Sequence, residues 1–214
     1  MKLAPKNSNL EWQRYYLPNI PIYETKLPKN IVDHLWKYIN NAKQNINHEL
    51  AGNINKSLVL VDEEDYFMNN VIRPVAESYI ENVDGARWYQ NNSIGASKSL
   101  ILEQFWVNYQ NKHEFNPSHA HQGIFSFVIW MKIPTRYEEQ HQIDISKNSN
   151  SPSASSFQFS YSNILGTHSN HLINMGTHQE GWVLIFPSQL QHQVYPFYNC
   201  DEQRVSISGN ICWN

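Results

Sequence analysis

NPSHAHQGIFSFVIWMKI, residues 116–133, reads as a turn, a histidine pair and a long apolar strand. Asn116-Pro117-Ser118 has the composition of a turn. His119 and His121 are two residues apart. In extended backbone such neighbours project from one face, so both imidazoles can reach one metal ion. Gly123 follows, and then Ile124 to Ile133, dense in β-branched and aromatic residues. This order puts the pair at the mouth of a β-structure, where sandwiches and barrels build their sites.

The rest of the C-terminal part has the same texture. Leu100–Tyr109 predicts a strand, and shorter ones are expected at Ser156–Tyr161, His171–Asn174, Trp182–Phe186, Gln193–Phe197 and Arg204–Cys212. Short strands parted by turn residues, without helices between them, point to a sandwich or barrel rather than a parallel sheet. Asp144 to Ser156 (DISKNSNSPSASS) is a polar Ser/Asn stretch. It predicts a mobile loop inserted between strands, either over the site or as a surface excursion. The wider region 136–180 is read as the loop insertion of a core spanning 98–214.

Residues 1–97 read as a helical support. Ile31, Leu35, Ile39 and Ala42 form a stripe at helical spacing behind Pro28, which suits a first helical turn. A second helix is expected from the acids at 62–65. Its apolar positions are Met68, Val71, Ile72, Val75, Ala76 and Tyr79, with a kink at Pro74. Both stripes read as core packing. The length, 214 residues, suits one domain.

Composition excludes several classes. The formal net charge is −3, so there is no global electrostatic pull toward nucleic acid or an anionic membrane, and the sequence shows no basic stripe. No apolar run approaches the roughly 20 residues of a membrane span. The first residues, MKLAPKNSNLEWQRYY, lack the continuous apolar segment expected of a secretory signal, and two cysteines, Cys200 and Cys212, are too few for a disulfide framework. A cytoplasmic location is expected. No phosphate-binding glycine loop or Gly-x-Ser-x-Gly is present.

Two later residues extend the histidine pair. Gly181 to Pro187 (GWVLIFP) reads as a buried strand ended by proline, and His192 follows in Gln191-His192-Gln193. Arg204 comes twelve residues after His192, and Ser206 shares its strand face. Singly, His192 reads as a surface histidine and Arg204 as a solvent-exposed strand residue. Together with the pair they read as a metal site next to an arginine fork and a hydroxyl suited to a carboxylate.

The ordered set of turn, His119-Ala120-His121, apolar strand, Phe186-Pro187-Ser188, His192 and Arg204-Val205-Ser206 resembles the 2-oxoglutarate and iron(II)-dependent oxygenases of bacteria and tailed phages. The resemblance runs from about residue 99 to the C-terminus. It implies a mainly β fold with N-terminal helices (α+β), a double-stranded β-helix or jelly-roll barrel of the cupin type. It implies a dioxygenase whose cofactors are Fe(II) and 2-oxoglutarate, with succinate and carbon dioxide released. Metal ligands would be His119, His121 and His192; Arg204 and Ser206 would hold the co-substrate, and Asn108 or Tyr109 would contact co-substrate or substrate. The family pattern has an acid where this chain has His121. Three outcomes stand open: all three histidines ligate iron, His121 points away and leaves two ligands, or the metal is another ion such as zinc, copper or nickel.

The substrate expectation stays broad: a protein side chain such as proline, a nucleotide or a small metabolite. Two rival readings stand beside the dioxygenase. One is a cupin-like metalloenzyme with three histidines and no 2-oxoglutarate. The other is a non-catalytic jelly-roll binding or structural module. His168, His171 and His178 read as solvated loop histidines, and His113 and His141 as surface. The many aromatics, Trp12, Tyr15, Tyr16, Trp36, Trp88, Tyr89, Trp106, Trp130, Trp182 and Trp213 among them, read as core or as a groove for sugar or peptide.

Overall fold

A computed structural model describes residues 20–82 and 99–214. Trp12, Tyr15, Tyr16, Trp88 and Tyr89 lie outside the described residues.

Two antiparallel sheets make the frame. The larger has six strands: β1 (Tyr23–Lys26), β2 (Lys56–Val59), β3 (Leu100–Gln110), β5 (Phe125–Lys132), β8 (Trp182–Pro187) and β10 (Arg204–Trp213). Their order is β1-β8-β5-β10-β3-β2. The smaller has β4 (Asn116–His119), β6 (Phe157–Ser162), β7 (His168–Ile173) and β9 (Gln191–Val194), in the order β4-β9-β6-β7.

The large sheet is covered on both faces, which explains why β5 is apolar at almost every position. Phe125, Phe127 and Ile129 pack with Val107, Ile185 and Ile207 against the helices. Val128 and Trp130 turn the other way, to Leu184, Phe186 and the small sheet's Phe157 and Phe159. A strand buried on two sides has no polar face to alternate with.

The helices lie on the outer side. α1 (Lys29–Asn41) buries Ile31, Leu35, Tyr38 and Ile39, while Ala42 caps its C-terminus. Pro28 is the N-cap rather than an internal residue. The second helical segment starts differently from the expectation. The Asp62 carboxylate accepts the backbone N–H groups of Phe67 and Met68 at 2.8 Å each, so one side chain caps the segment. A π-turn at Met68–Ile72 leads into α2 (Arg73–Asn82). It ends two residues before Pro74, which has no N–H for the regular ladder.

Four expectations are corrected. Residues 1–97 are not purely helical support, because β1 and β2 join the large sheet's two edges. Each is only four residues long, too short for a pattern. Asn116-Pro117-Ser118 is strand β4, not a turn; Pro117 is tolerated because β4 is an edge of its sheet. Region 136–180 is not loop alone: besides β6 and β7, where strands were expected, it holds α3 (Tyr137–His141). The Ser/Asn stretch ends inside the protein: Ala154, Ser155 and Ser156 are buried.

Cys200 and Cys212 are both free thiols. Among the described residues no helix is long and apolar enough to cross a membrane.

Candidate active site

Strand register builds the site. His119 on β4 lies directly opposite His192 on β9. His121 sits two residues past His119, where its backbone N–H donates to Ser188 O at 2.8 Å. That bond ties the histidine pair to the Phe186-Pro187-Ser188 turn. The ligand nitrogens of the three imidazoles all lie within 4.8 Å of one another.

The rings are aimed by backbone carbonyls. His119 Nδ1 lies 2.7 Å from Pro117 O, and His192 Nδ1 lies 2.9 Å from Leu190 O. A carbonyl only accepts, so each Nδ1 carries the proton and each Nε2 keeps its lone pair. Phe157 stacks on the His192 ring at 5.7 Å, Phe186 meets it edge-on at 4.9 Å, and Trp106 meets the His121 edge at 5.9 Å. This apolar wall keeps the rings neutral. Burial lowers His119, pushes His121 down to about 4 and His192 to about 3, with adjacent His119 adding to the last two. Three neutral imidazoles with converging lone pairs fit a divalent transition-metal ion.

The same cavity continues along the large sheet. Trp106, Asn108 and Gln110 line it from β3, and Arg204, Ser206 and Ser208 from β10. These are cross-strand partners: Arg204 faces Gln110, Ser206 faces Asn108, and Ser208 faces Trp106. The intervening Val107, Val205 and Ile207 point to the helices. Period-two alternation thus separates a polar cavity face from an apolar core face on the same two strands.

Arg204 is the largest fully buried side chain among the described residues, at 2% exposure. Its Nη1 donates to Gln110 Oε1 at 3.3 Å, and its Nη2 to the carbonyl and hydroxyl of Ser155. The guanidinium lies 5.1 Å from the Phe197 ring. Nε is buried with no partner, and no carboxylate among the described residues pairs with the group. Burial lowers its pKa to about 10. A buried cation without a counter-charge is costly, so the arrangement fits an anionic ligand.

Sequence reasoning missed three contributors. Gln110 was legible through the alternation Trp106-Asn108-Gln110. Ser155 was not, because it reaches Arg204 from 49 residues away with a left-handed φ of 67°. Asn116, read as part of a turn, lines the cavity with a buried Oδ1 that has no partner. Tyr109 is a correction. It lies on the opposite strand face from Asn108, packed on the helical side, with Lys56 Nζ 4.3 Å from its ring centroid. It therefore does not line the cavity. His168, His171, His178 and His113 are exposed, whereas His141 is half-buried with Nε2 enclosed and unpartnered.

Residues 104–210 match the family described as "Putative 2OG-Fe(II) oxygenase". The chain belongs to this family of 2-oxoglutarate and iron(II)-dependent oxygenases. It is therefore a dioxygenase, an oxidoreductase whose cofactors are Fe(II) and 2-oxoglutarate. No curated protein matches the chain.

Solved structures share the fold. A prolyl hydroxylase from Trichoplax adhaerens, in complex with a hypoxia inducible factor peptide, matches at 11% identity and a TM-score of 0.50, over 90% of this chain and 82% of that one. A Pseudomonas putida prolyl-4-hydroxylase matches at 12% identity and 0.48, over 91% of each chain. A viral collagen prolyl hydroxylase from Paramecium Bursaria Chlorella virus-1, in complex with 2OG, matches at 11% and 0.48, over 89% and 94%. The two facing sheets of this oxygenase are the double-stranded β-helix.

Proposed function

We propose that this oxygenase hydroxylates an organic substrate at iron held by His119, His121 and His192, with 2-oxoglutarate anchored by Arg204 and releasing succinate and carbon dioxide. The observation that carries the reading is the joint placement of three converging imidazoles and a buried, acid-free arginine in one cavity. Bound iron and 2-oxoglutarate supply the oxygen chemistry, in which one oxygen atom of dioxygen enters a C–H bond and the other enters succinate.

The protein's own residues orient and exclude. Pro117 and Leu190 carbonyls hold two imidazoles in the tautomer a metal needs. Gln110 and Ser155 hold the guanidinium, and Ser206 and Asn108 stand on the same face to meet a carboxylate. Ser57 Oγ donates to Asn108 Oδ1 at 2.7 Å and fixes that amide. Trp106, Trp130, Phe157 and Phe186 supply apolar walls that exclude water.

Anaerobic titration of the metal-stripped protein with iron(II) and 2-oxoglutarate tests the reading. A visible charge-transfer band that needs both, and is lost in Arg204→Ala, is the expected result. No band and no tight iron binding would overturn it.

No Asp or Glu among the described residues lines the cavity, so the iron ligands it offers are the three histidines. Candidate substrates are a protein side chain such as proline, a nucleotide or a small metabolite; peptidyl proline is the first to screen, given the prolyl hydroxylase with bound peptide among the fold neighbours.

A further inference from the structure

The cavity is short of negative charge. Its three candidate ligands are neutral imidazoles, its one charged lining residue among those described is the Arg204 cation, and no carboxylate faces it. A divalent ion there would carry its full charge beside a buried guanidinium. Arg204 cannot move away to relieve this, because Gln110, Ser155 and Phe197 hold it in place. Arg204 and His192 are buried, so bulk water screens the guanidinium little and reaches the imidazoles only past the half-buried His119 and His121. A ligand with two separated negative groups, one at the imidazoles and one at Arg204, compensates both charges at once.

We propose that metal retention in this cavity is conditional on a dianionic chelator spanning the metal and Arg204, and that His121, by being neutral, sets that condition. The proposal rests on the functional reading above. It differs from that reading in making the three imidazoles weak metal ligands by themselves. By linkage the dependence is mutual: the metal raises chelator affinity by the same factor as the chelator raises metal affinity. His121 is the specificity-determining position, because an acid there would supply one negative charge permanently and loosen the dependence.

The experiment is calorimetric titration of the metal-stripped full chain with Mn(II), which needs no turnover, with and without saturating 2-oxoglutarate. The expected result for the wild-type chain is a rise in Mn(II) affinity of about 10- to 100-fold with the chelator. Uncharged dimethyl 2-oxoglutarate should give no rise. In His121→Asp, Mn(II) alone should bind about tenfold tighter and the enhancement should shrink by a similar factor. His121→Glu repeats the test with a longer reach, and the wild-type comparison stands even if both variants misfold. Tight Mn(II) binding that 2-oxoglutarate leaves unchanged, while 2-oxoglutarate itself binds, overturns this proposal and leaves the functional reading intact. Failure of 2-oxoglutarate to bind even beside bound metal removes both.

Discussion

The two ends of the cavity solve opposite electrostatic problems. At one end, His119, His121 and His192 are kept neutral by burial among Phe157, Phe186 and Trp106, and backbone carbonyls choose their tautomers. At the other, Arg204 keeps its charge despite complete burial, held by neutral acceptors on Gln110 and Ser155. The difference follows from intrinsic basicity. Imidazole titrates near neutrality, so desolvation easily holds it neutral, whereas guanidinium is so basic that burial lowers its pKa only to about 10. The cavity thus offers lone pairs at one end and a fixed cation at the other.

The sharpest way to break this contrast is to remove a lone pair. His192→Ala should abolish stoichiometric metal uptake, read by metal analysis after dialysis in the presence of saturating 2-oxoglutarate, because two imidazoles leave the set incomplete. Undiminished uptake would mean that the imidazole end is not a metal site. Removing the cation comes next. Arg204→Met, which keeps much of the buried volume, should weaken 2-oxoglutarate binding by about 2–5 kcal/mol and abolish the rise in Mn(II) affinity that 2-oxoglutarate gives, with Mn(II) binding in the absence of chelator no weaker than in the wild-type chain. A loss of both functions would mean that the two ends are not separable.

The neutral end also has a pH signature. His121 and His192 have folded pKa values of about 4 and about 3, below the ordinary 6.5, so the unfolded chain binds more protons in that window. Their contribution to stability is complete above about 6.5 and is lost as pH falls toward the folded values. Urea midpoints of the metal-free protein should therefore decline from pH 7 to pH 4. A flat profile would contradict neutral, buried imidazoles.

Smaller effects sharpen the cation end. Ser155→Gly keeps the carbonyl and suits the φ of 67°, but removes the hydroxyl beside Arg204. It should raise the 2-oxoglutarate dissociation constant about tenfold with little change in metal affinity. Tyr109→Phe should change stability by less than about 0.5 kcal/mol and leave co-substrate affinity unmoved. A large effect on that affinity would place Tyr109 in the cavity after all.

Much of the frame follows from local pattern. β3, β5, β8 and β10 lie where runs of β-formers stand, and α1 lies where Ile31, Leu35 and Ile39 repeat. The His119/His121 spacing and the alternation Arg204-Val205-Ser206 carry their facing in the residues themselves, because side-chain direction in extended backbone has period two. Everything that joins distant segments was decided by tertiary packing. β1 and β2 are strands because two sheet edges needed partners, and β4 is a strand because β9 pairs with it. Tyr109 leaves the cavity because its strand face belongs to the helices. Ser155 reaches Arg204 because a polar segment without periodicity ends in a buried turn. Short-range order can be written in residue spacing. Which acceptor meets a buried cation depends on chain segments brought together only by the collapse of the whole core.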